Sequence, residues 1–151
     1  MGYIQLEMVI PKILWLKRNM KPSLFSNCQF LDLPDFLTYR ATKDSSRSSC
    51  TLTCNCSYLP SGWQDDFFNQ IGLEELVKRQ YSQVSKGEPL LAGMPVGKGL
   101  SKEAAEELGL IEGTPVGSAL IDACVDFFFR IISGEIFIYF FFVGTQDGLE
   151  P

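Results

Sequence analysis

Three groups of residues in this chain have types and spacings that could do chemistry. Gly117 to Ala123, reading GSALIDA, ends an apolar run on Asp122. An aspartate there is ionised at neutral pH and can accept a proton from a hydroxyl group. On spacing alone it is a strand-end residue that caps the next element. Cys50-x3-Cys54-x-Cys56 brings three thiols into seven residues, but the usual Cys-x2-Cys pairs of a zinc site are missing. The expectation there is no metal, with the cysteines serving as small, reduced, apolar residues. Gly93-x3-Gly97-Lys98-Gly99 has the look of a phosphate loop. A Walker loop needs four residues between its glycines and Ser or Thr after the lysine, so a turn is expected instead. No G-x-G-x-x-G dinucleotide fingerprint occurs.

Composition removes further classes. The 151 residues contain no histidine, which excludes histidine triads, histidine-ligated metals and a histidine general base. The net charge of -5 with scattered basic residues argues against a nucleic-acid partner. At 46% hydrophobic and 21% charged the chain has the composition of a globular protein. Five cysteines with no secretory signal ahead of them point to a reducing, cytoplasmic compartment.

The elements that must position these residues follow from periodicity and caps. Helices are predicted over 11–20, with Ile13, Leu16 and Met20 on one face, and over 33–41, capped by Asp32 and burying Leu33, Phe36 and Leu37. Residues 42–49 are polar and read as a loop. Cys50 to Cys56 alternates small and β-branched residues and is predicted as a strand. Pro60-Ser61-Gly62 is a turn, followed by helices over 64–71 and 73–83. Residues 89–99 are irregular. Ser101 caps a helix over 102–108 that Gly109 stops. A turn at 112–115 then leads into a predicted strand, 116–121, ending at Asp122.

Beyond Cys124 the composition changes. Val125 to Val143, VDFFFRIISGEIFIYFFFV, holds most of the chain's twelve phenylalanines. Asp126, Arg130 and Glu135 interrupt it, so it does not read as a membrane span. It reads as a tail at risk of aggregation.

Five segments, in order, resemble the FGGY family of carbohydrate kinases in its ribulokinase-like branch. They are LEMVIPKILWLK (Leu6 to Lys17), FLDLPDFLTYRAT (Phe30 to Thr42), RSSCTLTC (Arg47 to Cys54), GWQDDFFNQIGLEEL (Gly62 to Leu76) and GKGLSKEAAEELGLIEGTPVGSALIDA (Gly97 to Ala123). The likeness covers about residues 4 to 123. It implies an α/β fold: an incomplete RNase H-like domain of the actin-like ATPase superfamily, mostly its helical part, over 1–124, with an unrelated tail over 125–151. It implies ATP-dependent phosphorylation of a ketose such as ribulose, with ATP and magnesium as cofactors and Asp122 as the base that deprotonates the sugar hydroxyl.

Departures qualify the expectation. Close relatives of this branch read Cys-Lys-Trp-Thr-Tyr where this chain has Cys54-Asn55-Cys56-Ser57-Tyr58, so Asn55 stands at a sugar-contacting lysine position without its charge. No Asp-x-Gly occurs for the family's opening phosphate hairpin, and no nucleotide domain follows Asp122. The chain is therefore expected to bind no ATP and to be inactive alone. The alternative is a non-catalytic interaction protein that pairs with, or competes against, a full-length kinase, or that self-associates.

Overall fold

The computed structural model describes residues 8–121, and these form seven helices. α1, Val9–Asn19, carries Pro11 in its first turn, where no intrahelical N–H is needed. Lys17 and Arg18 sit in its last turn, favourably placed against the helix dipole. Its Ile10 and Ile13 are buried. α2, Pro22–Phe25, is a single turn that buries Phe25.

α3, Leu33–Thr42, starts at Asp32, whose carboxylate accepts from the Leu33 amide at 2.9 Å. The helix and its cap are as expected, but its buried face is not. Leu33, Phe36 and Leu37 are 66%, 41% and 58% exposed, and Asp35 is the residue turned inward. A helix advances about 100° per residue. Drawing Asp35 into the interior therefore rotates the apolar positions on either side toward solvent.

α4, Ser49–Cys56, replaces the strand predicted over 50–56. Ser48 is its N-cap, with Oγ accepting from the Cys50 amide at 3.1 Å. Ser48, Leu52 and Cys56 are buried at four-residue intervals, while Thr53 and Cys54 face out. That is a helical period, and packing overrides the β-branched propensity of the two threonines.

α5, Asp65–Gln70, and α6, Glu74–Lys78, pack on each other. α6 is shorter than the expected 73–83 because Gln80 and Tyr81 adopt left-handed backbone, φ 50° and 57°. That turn swings Tyr81 back to stack on Trp63 with ring centroids 4.3 Å apart. α7, Lys102–Leu108, has the expected bounds, with the Ser101 cap and Gly109 in left-handed conformation. α1 lies against α4, and α3 against α7. The main core joins Ile10, Ile13, Phe25, Leu52, Phe68, Leu73, Leu76 and Val84.

Among the described residues no strand forms, so the mostly helical part of the expectation holds and its two strands do not. What remains of sheet is three single bridges, one closing the local turn between Leu59 and Gly62 and two joining segments distant in sequence. Ser48 pairs in parallel with Leu90, and Pro95 pairs antiparallel with Gly117. The predicted strand 116–121 is reduced to this bridge. No helix among the described residues is long and apolar enough to cross a membrane.

Candidate functional site

Asp122 and the phenylalanine-rich tail lie outside the described residues, and the segment before them is held by backbone hydrogen bonds up to Ser118. The Val96 amide donates to the Val116 carbonyl at 2.8 Å, and the Ser118 amide donates to Met94 O at 2.7 Å. The buried Ser118 hydroxyl adds a bond to Leu91 O at 2.6 Å. The 90–96 segment is held in turn by the start of α4, through Ser49 N to Leu90 O and Leu90 N to Arg47 O, both 2.8 Å. The approach to Asp122 is thus suspended from residues 47–49.

Those residues belong to a buried polar network that sequence reading did not assign. Arg47 Nε donates to Asp35 Oδ2 at 2.8 Å, and both side chains are sealed from water. The Thr51 hydroxyl donates to the same carboxylate oxygen, and the Ser48 amide donates to Oδ1 at 3.0 Å. Arg47 Nη1 reaches the carbonyls of Phe30 and Val84. One guanidinium therefore ties α3, α4 and the segment after α6 together. The only sequence signal was a lone arginine and a lone aspartate inside otherwise conforming segments.

Asn55 sits half-buried near the C-terminal end of α4. Its amide Nδ2 donates to Asp32 Oδ2. The expected sugar-contacting position is thereby engaged with the cap of α3, and Asp32 uses its other oxygen on the Leu33 amide.

The thiols differ sharply. Cys56 is fully buried, and burial pushes its pKa up to about 12, with Arg47 nearby opposing part of that rise. Cys54 is exposed. Its pKa is raised by partial burial first, then by Cys50, to which it is hydrogen-bonded, and by Asp32. Cys28, Cys50, Cys54 and Cys56 are in no disulfide.

No family model matches the chain. Curated relatives do. An FGGY carbohydrate kinase domain-containing protein of Danio rerio is 46% identical over 124 residues, covering 81% of this chain and 23% of its own length. Its counterpart in Xenopus laevis is 44% identical over 124 residues, with 81% and 22% covered. A D-ribulokinase of Saccharomyces cerevisiae is 41% identical over 134 residues, with 81% and 19% covered. This chain belongs to the FGGY carbohydrate kinases, in their ribulokinase-like branch.

The FGGY chain spans about a fifth of the length of these relatives. Family membership carries a general use of ATP and magnesium. The glycine-rich segment of the FGGY chain does not fit a nucleotide phosphate. Among the described residues there is no cluster of three metal-ligating side chains. The glycine-rich segment spends its amides internally: Gly93, Met94, Val96, Gly99 and Leu100 all donate to backbone carbonyls of the protein. A phosphate cradle needs such N–H groups turned toward the ligand.

Proposed function

We propose that this chain supplies the acceptor-sugar side of a kinase that phosphorylates a ketose such as ribulose. The observation that carries the reading is the 41% identity to a protein named D-ribulokinase, running through 81% of this chain. In this reading Asp122 is the base: its carboxylate orients one sugar hydroxyl and takes its proton. Asn55 offers an uncharged donor where relatives carry lysine. The helices described above are the helical part of an RNase H-like domain over 1–124, and 125–151 is a separate tail. Reduced thiols at Cys28, Cys50, Cys54 and Cys56 support a reducing, cytoplasmic setting.

The experiment is a near-UV circular dichroism melt of the purified chain with and without ribulose. A sugar that binds only the folded state raises Tm. The expected result is a cooperative transition moved upward by ribulose, and a smaller shift in Asp122→Asn. A cooperative melt that ribulose leaves unmoved would remove the substrate assignment.

A second reading rests on the exposed face of α3. Leu33, Phe36 and Leu37 present apolar area that a monomer normally covers. It fits a non-catalytic protein that pairs with a full-length kinase. Co-purification with a full-length relative, lost in Phe36→Ser, supports it. A monodisperse chain that captures no relative counts against it.

A further inference from the structure

α4 places two thiols one helical turn apart on its outer side. Cys50 and Cys54 are at i and i+4, a spacing that sets Cβ atoms about 5–6 Å apart on one face. Cys54 is exposed and Cys50 half-buried, so the pair opens to solvent. Cys56 is carried to the opposite, fully buried side beside Arg47 and cannot join them. The described residues also offer no third donor to complete a cluster.

These facts select the ion. Zinc takes four ligands in its structural sites and would be left short by two sulfurs. A soft monovalent ion is satisfied by two thiolates in a near-linear arrangement. With metal–sulfur bonds of roughly 2.3 Å, as in zinc thiolates, the sulfurs would stand about 4.6 Å apart, within reach of two side chains on adjacent turns. We propose that Cys50 and Cys54 form a two-sulfur binding site for Cu(I). On binding, each thiol releases its proton to water and each sulfur forms one bond to copper. The product is a dithiolate complex of charge -1, and no electron is transferred.

The test is an anaerobic titration of the reduced, full 151-residue chain with Cu(I) against bicinchoninate, a coloured chelator that competes for the ion. The native chain is expected to withdraw one equivalent from the chelator. Cys54→Ser and Cys50→Ser should each abolish that withdrawal, while Cys28→Ser and Cys124→Ser should keep it. Moving the thiol with Cys54→Ser plus Asn55→Cys, roughly 140° around the helix from Cys50, should not restore it. Far-UV circular dichroism checks each variant. Should Cys50→Ser lose helix, the exposed Cys54→Ser decides the matter alone. The proposal is overturned if the native chain withdraws no copper, or if the Cys50→Ser, Cys54→Ser double variant withdraws as much as the native chain.

Discussion

Arg47 Nε donates to Asp35 Oδ2 across 2.8 Å, with 0% and 1% of the two side chains exposed. Twelve residues apart in sequence, they join the first turn of α3 to the start of α4. Removing one partner of such a pair strands a buried charge. Asp35→Ala is expected to cost about 3–5 kcal/mol, read by urea denaturation. Arg47→Met should cost a similar amount, because the Asp35 carboxylate left behind keeps two donors, Thr51 and Ser48, as the guanidinium left behind in Asp35→Ala keeps two carbonyls, Phe30 and Val84. A loss below about 1 kcal/mol in Asp35→Ala, the range of an ordinary surface change, would show that the network is not integrated into the fold.

At position 99 the backbone leaves no room for a side chain. Gly99 has φ +85°, and an added Cβ would lie 2.5 Å from the carbonyl oxygens of both Gly113 and Thr114. Strain and overpacking combine there. Gly99→Ala should destabilise by at least about 2 kcal/mol, measured by thermal or urea unfolding. Gly109→Ala pays for conformation alone, since nothing lies within 4 Å of its added Cβ, and should cost less.

Alkaline pH tests the buried acids. The pKa of Cys56 is raised from 9.0 to about 12 by burial. That of Tyr81 is raised above 10.0 by burial, then by its hydrogen bond to Asp65. A raised folded-state pKa gives stability that is full below the unfolded value and is lost as pH rises through the folded one. Stability should therefore be level up to about pH 9 and fall from there toward about pH 12. Denaturant melts across that window check it, and Cys56→Ala should delay the onset of the fall.

The Asn55–Asp32 bond joins the end of α4 to the cap of α3. Asp32→Ala loses both this bond and the cap, and should cost about 1–2 kcal/mol in a denaturant melt. Asn55→Lys puts a cation beside the same half-buried carboxylate and should change stability by no more than about 1 kcal/mol. A larger ribulose-induced Tm shift in Asn55→Lys is the expected outcome for a sugar-contacting position. An unchanged shift would leave position 55 a strut between the two helices.

Much of this was legible from local signals. The caps at Asp32 and Ser101, the stop at Gly109 and the turn at residues 60–62 are short-range devices, written where they act. The five ordered segments pointed to the FGGY kinases before any coordinate, and the relatives agree. The strand expected at 50–56 failed because Thr51 and Thr53 carry strand propensity while burial at Ser48, Leu52 and Cys56 follows a helical period.

By itself the sequence determined the family, the helix starts and stops that depend on neighbouring residues, and the chemistry open to the chain without histidine. Tertiary structure alone decided which face of α3 is inside. Leu33, Phe36 and Leu37 are the more apolar choice, but Asp35 goes in because Arg47, Ser48 and Thr51 wait there with three donor bonds. A carboxylate is buried only where such partners converge, and they come from another helix and the loop before it. Propensity and periodicity read one element at a time and cannot see a partner that folding brings from elsewhere.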